Sequence, residues 1–272
     1  MSAERHTLDD LLAVMARLRD PERGCPWDLQ QDFASIAPHT LEESYELVDA
    51  IERGDFAQVR EELGDVLFQV IFYSQLGREQ GRFTFDELLH GLVEKLLRRH
   101  PHVFPSGQLC ETGNAQAAAT QVEQVNQNWE RIKQDERAAK SLAGVLDDVP
   151  VALPALSRAA KLQKRAARVG FDWHDWRDVL VKMAEEQHEL IDAVARGDQD
   201  HIADEFGDLL FCCVNLARFL KVDPETALRG ANRKFERRFR FIEQALAQQG
   251  RAPQDASLAE MDALWVEAKT RE

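Results

Sequence analysis

The sequence has few cysteines and no long apolar run. Its 272 residues include 4 cysteines, at positions 25, 110, 212 and 213, and none of them forms a Cys-x-x-Cys pair. This spacing argues against a zinc ribbon or a disulfide framework and is typical of a reducing compartment. No apolar run approaches the roughly 18 residues that span a bilayer, and we find no signal-peptide pattern. We therefore expect a cytoplasmic protein without a membrane segment.

Positive charge is also in short supply. The chain has 34 Lys and Arg against 48 Asp and Glu, which gives a formal net charge of −14. Such a surface repels a phosphate backbone, so we expect no direct binding to nucleic acid. Strand alternation and a glycine-rich phosphate loop are both missing from the sequence. We predict an all-α fold, in which a phosphorylated ligand would need a bound cation and a local cluster of Lys and Arg.

What the chain does contain is an internal duplication. The segment Leu41–Phe68 returns as Ala184–Phe211 at an offset of 143 residues. L-E-E-S-Y-E, fifteen further residues and E-L-G-D become A-E-E-Q-H-E, fifteen residues and E-F-G-D. A repeat of this kind indicates two related helical bundles in tandem. We predict one domain over 1–120, with a linker at about 105–120, and a second over 121–272.

Each copy of the repeat places acidic residues symmetrically about a glycine. Glu46 lies eight residues before Gly54, and Glu62 lies eight residues after it. In an antiparallel helix pair these two residues stand level, and Glu43 and Asp65 stand one turn farther from the glycine on the same faces. The corresponding acids of the second copy are Glu186, Glu189, Glu205 and Asp208, with Glu185 beside them.

Converging carboxylates favour a bound cation. Two of them about 4 Å apart repel by about 4 kcal/mol at an effective dielectric near 20. Oxygen ligands alone select a hard cation, Mg²⁺ first, with Mn²⁺ or Ca²⁺ as substitutes. The alternative is a solvated acidic face. We predict a metal site formed by Glu186, Glu189, Glu205 and Asp208, and a possible second metal site formed by Glu43, Glu46, Glu62 and Asp65.

A basic helix follows the acids in both halves. Lys95, Arg98 and Arg99 recur as Lys234, Arg237 and Arg238, and the second of these helices begins at Asp223-Pro224 and runs to about Gln248. This order suggests a metal–polyphosphate site, in which Lys234 and Arg238 neutralise the leaving group and Glu185 takes a proton from water. Two local expectations concern the first half: Pro38 opens its first acidic helix, and Trp27 fills a gap in the core.

Further motifs accompany the acids. G-C-P-W-D spans Gly24–Asp28, R-R-H-P-H-V-F spans Arg98–Phe104, V-G-F-D-W spans Val169–Trp173 and N-x-K-F-E-R-R-F spans Asn232–Phe239. With E-E-x-x-E and E-x-x-D, these motifs resemble the MazG family of all-α nucleoside triphosphate pyrophosphohydrolases, in its two-domain bacterial form. The resemblance covers nearly the whole chain except the linker.

This resemblance implies Mg²⁺-dependent hydrolysis of NTPs or dNTPs to the monophosphate and pyrophosphate, for housecleaning of the nucleotide pool. It also implies an interlocked homodimer and an active C-terminal half. At the offset of 143, Lys182 corresponds to His39, which is the sequence's own reason to favour the second half. The implied catalytic residues are Glu185, Glu186 and Glu189; the metal ligands are Glu186, Glu189, Glu205 and Asp208; the nucleotide contacts are Lys182, Lys234, Arg238 and Trp265.

Two alternatives stay open. Glu185-x-x-His188 is an E-x-x-H pattern, which di-iron carboxylate bundles carry on two of their helices. Here it occurs once, because its partner is E-x-x-D. The other alternative is a nucleotide-binding regulator without catalytic activity.

Overall fold

The computed structural model describes residues 5–109, 124–125, 128–129, 131–132, 136 and 144–272. Throughout this part of the chain the regular structure is helical, without a strand, which confirms the all-α prediction. The chain divides into two compact units, Met1–Glu136 and Arg137–Glu272. The predicted boundary at 120/121 and the predicted linker beyond residue 109 lie outside the described residues. None of the described helices has the length and apolarity to cross a bilayer.

The first unit is organised around one long helix. Helix α4 (Phe56–Glu79) packs against α1 (Leu8–Leu18), α3 (Phe33–Arg53) and α5 (Phe85–Arg99). Its apolar stretch supplies Ile71, Phe72 and Leu76 to a core that also contains Met15 and Ile36. The helices are α1 Leu8–Leu18, α2 Pro26–Leu29, α3 Phe33–Arg53, α4 Phe56–Glu79 and α5 Phe85–Arg99.

The second unit repeats the acidic hairpin and extends the basic helix. Helix α7 (Trp176–Arg196) packs against α8 (Gln199–Phe219), which is also contacted by α6 (Ala155–Ala167) and α9 (Pro224–Ala247). Helix α10 (Leu258–Thr270) packs on α9. Asp223 caps the basic helix by accepting a hydrogen bond from the backbone N–H of Thr226, with Pro224 in the first helical position. The helices are α6 Ala155–Ala167, α7 Trp176–Arg196, α8 Gln199–Phe219, α9 Pro224–Ala247, a 3-10 turn Pro253–Asp255 and α10 Leu258–Thr270.

The R-G-D turn of each unit is explained by its last two residues. Gly54 and Gly197 end the first acidic helix with φ of 72° and 73°, in the left-handed region that glycine adopts without steric cost. Asp55 and Asp198 then cap the following helix through their side chains. The same three residue types therefore end one helix, turn the chain and begin the next in both units.

Helix α3 begins earlier than the sequence suggested. The expectation that Pro38 opens this helix is wrong, because α3 starts at Phe33 and holds Pro38 in its interior. Asp32 accepts hydrogen bonds from the backbone N–H groups of Ala34 and Ser35, and Ser35 completes a capping box. This cap satisfies the orphan donors of the first turn, so nucleation does not depend on the proline.

In the G-C-P-W-D segment, the tryptophan does not lie in the core as the sequence predicted. Trp27 is 51% exposed and meets the ring of His39 edge-on at 6.0 Å between centroids, so the prediction that it fills a core gap is wrong. Asp28 is the buried residue of the motif, and its backbone carbonyl accepts a hydrogen bond from Arg19. In the short helix α2, adjacent side chains point in different directions, and Asp28 takes the inward one.

Candidate metal and nucleotide site

The glycine turn of the second unit brings three carboxylates together. Glu186 of α7 and Glu205 and Asp208 of α8 each offer an oxygen, and these oxygens lie within 4.8 Å of one another. Glu186 is 5% exposed, whereas Asp208 is exposed. The cluster is therefore closed on the protein side and open to a solvent-borne ligand.

The first unit builds a related cluster with a different buried member. Glu43 of α3 and Glu62 and Asp65 of α4 place three oxygens within 4.8 Å of one another. Here the buried acid is Glu62, at 7% exposure, on the second helix of the pair rather than the first. Among the residues that the structure describes, these are the two groups with this arrangement.

The fourth predicted acid of each set lies outside the three-oxygen group but is coupled to it by charge. The charge of Glu62, together with desolvation, raises the pKa of Glu46. Desolvation raises the pKa of Glu189, Lys182 opposes the shift, and the charges of Glu186 and Glu205 add to it. Raised carboxyl pKa values are the expected result of like charges crowded together, and a divalent cation would relieve them.

The second cluster differs from the first by a lysine, Lys182, beside its acids. Its Nζ lies 2.7 Å from Oε1 of Glu185 and 2.8 Å from Oε1 of Glu186, and the hydrogen bonds to these two carboxylates raise its pKa. In the first unit, Nδ1 of His39 stands 3.6 Å from Oε2 of Glu42. The predicted nucleotide contact Lys182 thus adjoins the acidic cluster, because it bonds to one of its members, Glu186, and to the neighbouring Glu185.

Two other predicted nucleotide contacts meet between α9 and α10. The guanidinium of Arg238 lies over the ring of Trp265 at 5.4 Å from its centroid, and the ring of Phe235 lies 5.3 Å from that of Trp265. Lys234 is exposed on α9, one turn before Arg238. The structure therefore groups Arg238 with Trp265, and Lys182 with the acids.

A glutamate that the sequence reasoning missed holds the arginine pair. Glu272 accepts from Nη2 of Arg237 at 2.5 Å and of Arg238 at 2.6 Å, and these bonds lower the pKa of Glu272 to about 2. In the first unit, Glu136 holds Nη2 of Arg98 at 2.6 Å and of Arg99 at 2.5 Å. A signal was present: Trp129 and Trp265 each stand seven residues before these glutamates.

The donor set fits a hard divalent cation. Both three-oxygen groups consist of carboxylates, without His or Cys. His188 is exposed, and its Nδ1 lies 2.6 Å from the carbonyl oxygen of Ala184 on its own helix. The E-x-x-H pattern therefore does not contribute a nitrogen ligand to the cluster, and the donors suit Mg²⁺ or Mn²⁺ better than iron.

Comparison with protein families matches the MazG nucleotide pyrophosphohydrolase domain twice, over residues 31–104 and 177–240. The nucleoside triphosphate pyrophosphohydrolase of Escherichia coli (strain K12) is 48% identical over 267 residues, which are 97% of this chain and 98% of the relative. The Thermotoga maritima nucleoside triphosphate pyrophosphohydrolase/pyrophosphatase MazG is 41% identical over 261 residues, 96% of this chain and 95% of the relative. A nucleoside triphosphate pyrophosphohydrolase of Mycobacterium tuberculosis is 37% identical over 179 residues, 65% of this chain and 50% of the relative. The two acidic hairpins fall within the matched regions, and the chain belongs to the MazG nucleotide pyrophosphohydrolase family.

Proposed function

We propose that the chain hydrolyses nucleoside triphosphates and deoxynucleoside triphosphates to the monophosphate and pyrophosphate, with Mg²⁺, at the acidic cluster of the second unit. The observation that carries this proposal is the meeting of Glu186, Glu205 and Asp208 beside the ammonium of Lys182. The full-length relatives from Escherichia coli and Thermotoga maritima support it, because both are named for this activity.

The metal would be held by the carboxylates. Glu186, Glu205 and Asp208 are the ligands, and Glu189 is the candidate fourth acid at the exposed side. Mg²⁺, with Mn²⁺ as a substitute, would supply charge neutralisation at the phosphates and lower the pKa of a water molecule. The buried position of Glu186 limits its motion, which keeps the ligand set in place.

The remaining residues orient groups and move a proton. Glu185 is exposed and fixed at one oxygen by Lys182, so its other oxygen is available to accept a proton from the attacking water. Lys182 can shift from these carboxylates to a substrate phosphate. Arg238 and Lys234 would neutralise charge on the departing pyrophosphate, and Trp265 would hold Arg238 in position through its ring.

We also propose that the protein is a homodimer with a housecleaning role in the nucleotide pool. Apolar side chains stand exposed on the acidic hairpin of the second unit, among them Val181, Ile191 and Phe206. Ile51 and Leu63 are similarly exposed on the first hairpin. Many large apolar side chains exposed on one hairpin are typical of a protein interface, and an interlocked second copy would cover them.

A panel of NTPs and dNTPs with Mg²⁺ tests the activity, with pyrophosphate and orthophosphate measured separately. We expect stoichiometric pyrophosphate and monophosphate and no orthophosphate. Reaction in ¹⁸O-water identifies the attacked phosphorus from the product that carries the label. Glu189→Gln should abolish the reaction while the far-UV circular dichroism stays helical. Orthophosphate as the main product, or full activity in that variant, would contradict the proposal.

A further inference from the structure

The ammonium of Lys182 competes with a cation for the acidic cluster of the second unit. Its Nζ lies 2.7 Å from Oε1 of Glu185 and 2.8 Å from Oε1 of Glu186. Glu186 is also a member of the three-oxygen group, together with Glu205 and Asp208. Mg²⁺ binds oxygen at about 2.1 Å, so whichever oxygen of Glu186 takes the cation, the ammonium stands within about 7 Å of it. The two positive charges therefore repel each other and share one carboxylate.

The pair of Lys182 and Glu186 is partly withdrawn from solvent. The side chain of Glu186 is 6% exposed, and that of Lys182 is 30% exposed. Salt and water screen a partly buried pair less than a pair on the open surface. Both hydrogen bonds of the lysine join charged groups, which makes them stronger than bonds between neutral groups. Lys182 is thus an effective counter-ion for the cluster.

The first cluster has no such counter-ion among the residues that the structure describes. His39 stands at the position of Lys182, and its Nδ1 lies 3.6 Å from Oε2 of Glu42, which is outside the three-oxygen group. The three acids of that group have no ion-pair partner among the described Lys, Arg and His side chains. The amide of Gln58, a neutral group, donates to Glu62 at 3.1 Å. The lysine is therefore an addition of the second unit.

A polyphosphate chain offers Lys182 an alternative partner. Within the described part of the chain, the ammonium has its ion pairs with Glu185 and Glu186. If the lysine moved to a phosphate, the carboxylates would lose their counter-ion, and a buried charge without a partner is costly. A divalent cation that arrives with the phosphates would supply the missing charge. Each ligand thus favours the binding of the other, and such coupling is reciprocal.

We propose that Lys182 is a resident counter-ion that weakens the binding of divalent cations to the second cluster until the phosphates of a substrate draw it away. The inference rests on the proposed function, which identifies that substrate as a nucleoside triphosphate. Its consequence is that the cation and the nucleotide bind cooperatively in the second unit. The cluster is then assembled with its cation when a substrate is present to use it.

Electron paramagnetic resonance of free Mn²⁺ measures cation binding to the nucleotide-free protein, without turnover. A Glu62→Gln background removes an acid of the first group, so that the second cluster is observed; Asp65→Asn is the alternative background. In this background Lys182→Met should tighten Mn²⁺ binding at least about tenfold, because it removes a competing positive charge. Lys182→Arg keeps the charge and should not tighten the binding.

Lys221→Met is the matched control. It removes one positive charge just past the end of α8, about 20 Å from Asp208 at 1.5 Å per residue, and should change the Kd of Mn²⁺ by less than about twofold. His201, whose Nδ1 lies 3.5 Å from Oε1 of Glu205, is the same in every variant.

The cooperativity is measured by calorimetry with a nucleoside triphosphate that has a methylene group between its α and β phosphorus atoms. Its Kd is determined in EDTA and at saturating Mg²⁺, and the ratio of the two values gives the coupling between nucleotide and cation. We expect this ratio to be at least about fivefold smaller in Lys182→Met than in the background protein. Lys221→Met should leave it unchanged.

Three results overturn the inference. They are equal Mn²⁺ affinity in the background and in Lys182→Met, an equal gain in Lys221→Met, and an unchanged ratio of nucleotide Kd values in Lys182→Met. Its failure is distinguishable from that of the proposed function. A wild-type protein that releases no pyrophosphate refutes the proposed function, whereas the Mn²⁺ titration still decides the role of Lys182. Pyrophosphate release together with unchanged Mn²⁺ binding in Lys182→Met refutes the role of the lysine alone.

Discussion

The two units share an acidic hairpin and differ in what surrounds it. Each has a left-handed glycine, an aspartate cap and three carboxylate oxygens within 4.8 Å. The second unit adds Lys182 beside the acids and opens a cavity at Asn215. The first has His39 and Phe72 at these positions. The acidic cluster that could hold a metal is therefore common to both hairpins, whereas Lys182 and the cavity at Asn215 distinguish the second unit.

The arginine pairs give a second comparison, in which the units agree. Arg98 and Arg99 are held by Glu136, and Arg237 and Arg238 are held by Glu272. We call each of these glutamates, with its arginine pair, a glutamate clamp. Because the first unit has the same arrangement as the second, the clamp belongs to the repeated fold rather than to the substrate site. Any catalytic use of Arg238 requires that it leave this glutamate.

Removal of the buried acid of the second cluster should produce the largest difference in activity between the two units. Glu186→Gln deletes the charge of a proposed metal ligand, and we expect kcat for pyrophosphate release to fall by roughly 10²- to 10³-fold. Glu43→Gln, the matched change in the first unit, should alter kcat by less than about threefold if that unit is not catalytic. Initial rates at saturating Mg²⁺ give both values. A large loss in Glu43→Gln with retained activity in Glu186→Gln would reverse the assignment of the active unit.

Exchange of the lysine should give the next largest effect. Lys182→His copies the first unit into the second and replaces an ammonium 2.7–2.8 Å from Glu185 and Glu186. Since hydrogen bonds of charged groups contribute about 1.5–3 kcal/mol, kcat/KM should fall by roughly 10- to 100-fold. The reciprocal His39→Lys should not confer activity on a chain that carries Glu186→Gln, because Phe72 still fills the first core. Activity in that double variant would contradict the assignment of catalysis to the second unit.

The pH dependence of stability should distinguish the two acid sets. Desolvation and neighbouring carboxylates raise the pKa of Glu43, and the charge of Glu62 raises that of Glu46, above the ordinary glutamate value of 4.5. The folded metal-free state then binds protons at a higher pH than the unfolded state. Metal-free protein should therefore become more stable as the pH falls through these raised values towards 4.5.

Calorimetry in EDTA and in Mg²⁺ measures this dependence. Mg²⁺ should flatten the profile, because the cation removes the repulsion that the protons would otherwise relieve. Glu46→Gln should flatten the EDTA profile more than Glu189→Gln, since Lys182 already opposes the shift of Glu189. If the EDTA stability profile of Glu46→Gln matched that of the wild-type protein, repulsion between carboxylates would not destabilise the first cluster.

The acidic hairpin could be predicted from the sequence because the repeat is in register. Glycine, cap and acids all recur at 143, and helix spacing then determines which acids meet. The glutamate clamp could not be predicted in the same way, because Trp129 and Glu136 recur as Trp265 and Glu272 at an offset of 136 residues instead of 143. The exchange of Phe72 for Asn215 was visible in the sequence. The void it leaves was not, since the packing of α6 and the Gly170–Trp173 loop around it depends on tertiary structure.

We expect the smallest change in activity from removal of the glutamate clamps. The two removals should have the same effect on stability but different effects on ligand binding. Arginine hydrogen bonds lower the pKa of both Glu136 and Glu272 from the ordinary glutamate value of 4.5 to about 2. Each clamp therefore stabilises the fold above pH 4.5, and this stabilisation is lost as the pH falls from 4.5 towards 2. Glu136→Gln and Glu272→Gln should both flatten acid unfolding over that window. Only Glu272→Gln should alter ligand binding: freed of its glutamate, Arg238 should bind pyrophosphate roughly 1.5- to 5-fold more tightly, the range expected for an ion pair near the protein surface. Product-inhibition constants for the two variants measure this difference, and equal tightening in both would mean that the pyrophosphate does not bind at Arg238.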